Sequence, residues 1–151
     1  MTTQEHDDAW RRHLIDDDEG IDRIIDATRR IAVLGIKIDP EKPGHFVPAY
    51  AQRAGFEIVP VPVYYPEVTE ILGEKVYRTI SAVPGDIDMV NVFRRAADVL
   101  PHVDDILAKR PKTVWLQLGI WNDVAAERLA RAGIDVVQDR CLMVELRQRG
   151  K

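Results

Sequence analysis

The chain is poor in cysteine and in aromatic residues, with one thiol, Cys141, and 7% Phe, Trp and Tyr among 151 residues. A single cysteine excludes an intrachain disulfide and a cysteine-based zinc site, and the four histidines, His6, His13, His45 and His102, lack the spacing of metal-ligand motifs. A cytoplasmic setting is the expectation that follows. No run of about 18 apolar residues occurs. The first residues, MTTQEHDDAWRRH, carry no basic segment followed by an apolar one. Neither a membrane span nor a secretory signal is therefore expected. An excess of positive charge is missing too: a net charge of -4 and a pI of about 5.6 give no bulk attraction for nucleic acid. Any affinity for anions must be local. There is no internal repeat, and the one strongly biased run is DDDE at 16–19.

What is present, 46% hydrophobic and 30% charged residues, suffices for one compact domain with its own core. Residues 1–29 read as an N-terminal helical extension and 30–151 as the domain. In the extension, Ile21, Ile24, Ile25 and Thr28 recur at helical spacing and predict an amphipathic helix over 20–30, with a shorter one over 8–15. From residue 30 onward the pattern changes. Apolar runs at 31–34, 57–63, 89–93, 114–118 and 135–138 alternate with helical stretches at 46–54, 96–109, 123–132 and 142–149. Continuous rather than alternating apolarity implies strands buried on both faces, as parallel strands are when helices cover them. With right-handed crossovers, the chain predicts an α/β fold, a Rossmann-like doubly wound sheet of about five parallel strands with helices on both faces. Residues 64–72 read as an irregular connection and 74–77 as a brief extended piece.

In open sheets of this kind ligands sit beyond the carboxyl ends of the strands, at the switch point of strand order. After the first strand come Gly35, Ile36 and Lys37, then Lys42 and Pro43 ahead of the next helix, with His45 at its mouth. Gly35 lets the backbone turn and a ligand approach, while free N–H groups at the helix start favour an anion. The same glycine would serve any tight turn, and loop lysines can be merely solvated, so both readings stand. The fingerprint G-x-G-x-x-G is not met, since eight residues separate Gly35 from Gly44. The second strand ends in Val61, Pro62 and Val63, and its one acid, Glu57, lies at the opposite end. A nicotinamide cofactor, whose ribose needs an acid there, is disfavoured. An apolar strand end of this kind can instead face an adenine or a pantetheine-like arm.

The third strand ends in Phe93, Arg94 and Arg95. Arginine forks match phosphate oxygens, although one arginine could cap a helix and the other lie in solvent. After the fourth strand Gly119 again allows close approach, and Asn122 or Asp123 can cap the next helix. Trp115 and Trp121 read as packing rather than ligand stacking. The fifth strand ends in Asp139, Arg140 and Cys141; a thiol near a helix start and an arginine can become a nucleophile. No histidine lies near it in sequence, and a buried small hydrophobe is the preferred reading. His45 reads as a contact or cap rather than a base. No acid–base pair, triad or metal cluster emerges.

Taken in order, VLGIKIDPEKPGHFV, GFEIVPV, EILGEKVYRTISAVPGDIDMVNVFRR, VWLQLGIWNDVAAERLARAGIDVVQDRC and the closing VELRQR resemble the small CoA-binding proteins related to the CoA-binding domain of succinyl-CoA synthetases. The resemblance covers about residues 30–149. It implies a Rossmann-like fold that holds coenzyme A at the carboxyl edge, through Gly35, Ile36, Lys37, Lys42, Val61, Pro62, Val63, Phe93 and Arg94. Pro43, His45 and Gly119 join this set from their positions at the same edge. Three departures stand out. Small residues usual after the first glycine are replaced by Ile36 and Lys37, a serine before the histidine by Gly44, and an Asn-Pro closing strand two by Pro62-Val63 followed by YYPEVT.

The expectation is a non-catalytic or regulatory binder of coenzyme A or an acyl-CoA, a nucleotide-binding protein with no nucleic-acid or membrane partner. Alternatives from other classes are an NAD(P)-dependent oxidoreductase, an acyl-transfer enzyme using Cys141, and an interaction module that has lost the ligand. The last could form a homodimer through its N-terminal helices.

Overall fold

A computed structural model of the protein describes residues 8–151. Five strands form one parallel sheet: β1 (Arg30–Leu34), β2 (Glu57–Val61), β5 (Met89–Val92), β6 (Thr113–Leu116) and β7 (Asp135–Val137). Their order across the sheet is β2-β1-β5-β6-β7. The chain leaves β1 for one edge strand and then crosses back to β5 on the other side. The order therefore reverses between β1 and β5, where a crevice opens at the carboxyl ends.

Successive side chains of a strand point to opposite faces, so each strand contributes to two cores. Ala32, Leu34, Val90, Val92, Val114 and Leu116 pack on one face with Val103 and Ile106 of helix α3 (Val103–Lys109) and Ala126 and Leu129 of α4 (Asp123–Arg131). Ile31, Val33, Met89 and Trp115 pack on the other with helices α1 (Asp18–Ala27), α2 (Pro43–Arg53) and α5 (Leu142–Gln148). This is the Rossmann-like arrangement expected from the doubly buried apolar runs. Among the described residues, no helix is long and apolar enough to cross a membrane.

Helix α1 buries Ile21, Ile24 and Ile25 in the second core. The chain ahead of it is fastened to β7: Ile15 N–H donates to Val136 O at 2.9 Å, and His13 Nδ1 lies 2.8 Å from the Asp135 carboxylate. The apolar stripe of α1 is thus already covered by its own domain, and a dimer made through that stripe would require the helix to leave its core.

Several boundaries differ from the sequence expectation. The helix expected over 96–109 is two 3-10 turns, Ala96–Asp98 and Leu100–His102, before α3 begins at Val103. Pro101 has no N–H and restricts the residue ahead of it, which breaks a continuous helix. The helix expected from residue 46 starts earlier, at Pro43, whose fixed φ suits a first turn. The helix expected over 8–15 is a 3-10 turn, Ala9–His13; His6 lies outside the described residues. The expected extended piece at 74–77 is one arm of a two-stranded antiparallel hairpin, β3 (Glu70–Ile71) and β4 (Glu74–Lys75). Finally, β2, β5 and β6 end at Val61, Val92 and Leu116, sooner than their apolar runs do. The apolar residues left over, Pro62, Val63, Phe93 and Leu118, hang off the carboxyl edge.

Candidate functional site

The crevice is built on Gly35. Its φ is +84°, and a Cβ there would collide with the Phe93 carbonyl oxygen and lie 3.3 Å from Cδ of Arg94. Gly35 N–H donates to Val61 O at 2.9 Å and Phe93 N–H to Leu34 O at 2.8 Å. Only a residue without a side chain permits the ends of β1 and β5 to lie this close. The loop that follows closes on itself. Lys37 N–H donates to Gly44 O at 3.0 Å, and His45 Nδ1 donates to Lys37 O at 2.8 Å. His45 is therefore a clasp for the loop. A Cβ on Gly44 would sit 2.8 Å from Cγ of Lys37, so this glycine makes room for the lysine stem.

Three loops surround a cavity of about 630 Å³ over the ends of β1, β5 and β6. The first supplies Lys37, Lys42, Pro43 and Gly44; the second Phe93, Arg94 and Arg95; the third Gln117, Leu118 and Ile120. Tyr64, from the connection after β2, completes the wall. Lys37 Nζ lies 4.4 Å from the centroid of the Tyr64 ring and the Arg94 guanidinium carbon 5.8 Å. Arg94 Nη1 also donates to the Tyr64 hydroxyl at 3.5 Å. That hydrogen bond, then the Arg94 charge, then Lys37, holds the phenol below its ordinary pKa, because each favours the phenolate.

Arg94 is tethered from behind. Its Nε donates to Nε2 of His102 at 3.3 Å, and its Nη2 lies 3.9 Å from Asp98. Arg95 takes the shorter bond to the same carboxylate, 2.8 Å. Burial first, and the Arg94 charge second, hold His102 below its ordinary pKa, which keeps its Nε2 free to accept. Tyr64 belongs to a strap held by Arg78, which donates to the carbonyls of Tyr64 at 3.3 Å, Tyr65 at 2.9 Å and Val68 at 2.5 Å.

A second cavity of about 630 Å³ adjoins over β2 and β1, and Pro62 and Val63 line it with Leu34 and His102. Asp105, also on its wall, accepts from the N–H groups of Ile80 at 2.7 Å and Ser81 at 3.1 Å. Its carboxylate thus anchors the 79–81 turn.

Of the residues singled out from sequence, Lys37, Lys42, Pro43, Phe93 and Arg94 meet in the first cavity and Pro62 and Val63 in the second. Gly35 underlies the crevice. Ile36 and Val61 are buried in the two cores, 1% and 0% exposed, and present backbone rather than side chain at this edge. Gly119 is exposed, and its N–H donates to Asp139 at 2.7 Å. Cys141 stands at the N-cap position of α5, its thiol making no capping bond, and lines a neighbouring groove.

Sequence reasoning missed Tyr64, whose signal was the YYPEVT segment after strand two, and Gln117. The Gln117 Oε1 accepts from Asn91 Nδ2 and from Leu142 N–H, both at 3.3 Å, which locks the amide at the cavity floor. Among the described residues, no group of three or more His, Cys, Asp or Glu side chains is placed to hold a metal ion.

Comparison with known proteins identifies the family. A family model described as a CoA binding domain matches residues 29–147. The uncharacterized protein YneT of Bacillus subtilis (strain 168) is 35% identical over 124 residues, 82% of this chain and 90% of that one. The structure of cell-free ID.343 from Thermus thermophilus is 36% identical with a TM-score of 0.81, covering 88% of this chain and 98% of that chain. A dinucleotide forming acetyl-coenzyme A synthetase 1 from Ca. Korarchaeum cryptofilum, in complex with phosphate and ADP, superposes with a TM-score of 0.59 at 25% identity. There the match covers 71% of this chain but 25% of the synthetase. The chain therefore belongs to the CoA-binding domain family, and the matched region takes in the whole sheet and both cationic loops of the crevice.

Proposed function

We propose that the protein binds coenzyme A, free or acylated, along the carboxyl edge of its sheet, as a binding or regulatory protein rather than a catalyst. The observation that carries this reading is the convergence of Lys37 and Arg94 on one side chain, Tyr64, inside one cavity at the switch point. Family membership names the ligand class, and the cavity supplies what that class needs. Coenzyme A carries a pyrophosphate and a 3′-phosphate. Lys37, Lys42, Arg94 and Arg95 offer four cations within reach of one cavity, two of them planar forks. The adjoining Pro62 and Val63 wall gives an apolar surface for the adenine. With Asp105 engaged by backbone N–H groups, no free carboxylate stands on that wall for the ribose pair of a nicotinamide dinucleotide. The reading carries with it a cytoplasmic setting, in keeping with a free thiol at Cys141.

Calorimetry tests it directly. Coenzyme A is expected to bind more tightly than ADP or NAD, and Lys37→Ala and Arg94→Gln are each expected to weaken it by about tenfold or more, the scale of a charge-assisted hydrogen bond. No heat of binding with millimolar coenzyme A would reject the proposal.

A further inference from the structure

Leu118 belongs to two concavities at once. On one side it closes the cavity of Lys37 and Arg94; on the other it walls a groove of about 370 Å³ at the ends of β6 and β7, lined also by Trp121, Cys141 and Val144. Leu118, Trp121 and Val144 are 64%, 56% and 39% exposed. Contiguous apolar side chains left in water mark a place where something apolar binds.

The charged groups around the groove already have partners. Arg140 pairs with Asp16 and with Glu145, at 3.3 and 3.4 Å, and Glu145 also meets Arg149 at 2.9 Å. Asp139 accepts the Gly119 N–H. An ion entering the groove would have to displace these partners. An aliphatic chain would not. The carboxyl edge thus changes character along its length, from a cluster of cations over β1 and β5 to a mixed surface beyond Leu118, where the charged groups have partners and Leu118, Trp121 and Val144 are left exposed. A ligand with a phosphorylated head and a hydrocarbon tail matches that order.

Resting on the coenzyme A reading, we infer that the groove of Leu118, Trp121, Cys141 and Val144 receives the acyl chain of an acyl-CoA whose phosphates lie at Lys37 and Arg94. The physiological ligand is then the thioester, and free coenzyme A is the weaker one. The occupant is argued from continuity: Leu118 walls both concavities, so a pantetheine arm that crosses the first cavity from the phosphates carries the acyl chain over Leu118 into the second.

The test is a calorimetric series with coenzyme A and its acetyl, butyryl and hexanoyl thioesters. Affinity is expected to rise about two- to fourfold per added methylene, the range for partial to full burial of a CH₂ group. The double variant Trp121→Ser/Val144→Asn, both at exposed positions, is expected to flatten the series while leaving coenzyme A affinity unchanged. Emission from Trp121 should move to shorter wavelength with hexanoyl-CoA and not with coenzyme A, a shift lost in Trp121→Phe. A flat series in the unmodified protein with coenzyme A still bound overturns the acyl groove and leaves the coenzyme A reading intact. No binding by any member overturns both. A flat series together with a dimer that Val144→Asn dissociates assigns the patch to a second copy of the chain and likewise overturns the inference.

Discussion

The hydrogen bond from Arg94 Nε to His102 Nε2, 3.3 Å long, needs an imidazole with no proton on that nitrogen. Burial and Arg94 together hold His102 below its ordinary value of 6.5, while Asp105 and Asp98 oppose them. The unfolded chain therefore takes up this proton first as the pH falls. Stability should drop as pH falls from about 6.5 through the lower folded-state value, since there the unfolded state binds more protons. Urea midpoints for the protein and for His102→Asn, compared across that window, isolate the effect: the difference between them should shrink as acid is added. A constant difference would show that His102 does not titrate in this way.

The Tyr64 phenol should lose its proton below its ordinary pKa, because Arg94 and Lys37 both favour the phenolate. The difference in phenolate absorbance between the protein and Tyr64→Phe, followed against pH, isolates this one group. Arg94→Gln should move that difference toward higher pH. Saturating coenzyme A, whose phosphates would engage the same cations, should do the same.

Two glycines with nearly the same φ separate steric crowding from backbone strain. Gly35 is at +84° against the Phe93 carbonyl, whereas Gly119 is at +85° and a Cβ there would meet nothing within 4 Å. Gly119→Ala should cost about 1 kcal/mol, the left-handed penalty alone. Gly35→Ala should cost about 2 to 4 kcal/mol, that penalty plus the crowding, and should abolish ligand binding. Chemical denaturation with an unchanged m-value reads both.

Asp88 offers a control far from the crevice. At the amino end of the sheet it accepts from the N–H groups of Arg29 and Arg30, each at 2.9 Å, and lies 3.2 Å from Lys112 Nζ. Burial alone would raise its pKa, but these donors outweigh it and hold the carboxyl below its usual value. Asp88→Asn should cost about 1 to 3 kcal/mol of stability and leave coenzyme A affinity unaltered. The Asp88 contribution should vanish as pH falls below the ordinary carboxylate range toward its folded-state value.

The sheet was legible because its strands are covered on both faces, which leaves largely apolar runs at β1, β2, β5 and β6, interrupted within β5 by the buried Asn91. Those runs overshoot the true strand ends at Pro62-Val63, Phe93 and Leu118, and these same residues line the cavities. The overshoot was thus a sign of the site. Pro101 carried the break within 96–109, but helical periodicity on either side of it masked that break. The YYPEVT segment pointed to the neighbourhood of Tyr64 but not to its place in the wall, which depends on Arg78 holding three carbonyls, a contact with no periodicity at all. Ile36 and Val61 fall at positions adjoining the crevice, yet strand alternation turns their side chains inward.

The loops bearing Lys37 and Arg94 leave from neighbouring inner strands whose register is locked from Ile31–Met89 to Leu34–Val92. The separation at their roots is inherited from the spacing of paired strands, about 4.8 Å, and no loop substitution can alter it. The strap of Tyr64 instead departs from β2, a border strand with one neighbour. Diversification within such a scaffold should therefore be conservative about the spacing of the two cationic loops and permissive about what stands beside them, with change concentrated at the margin of the sheet.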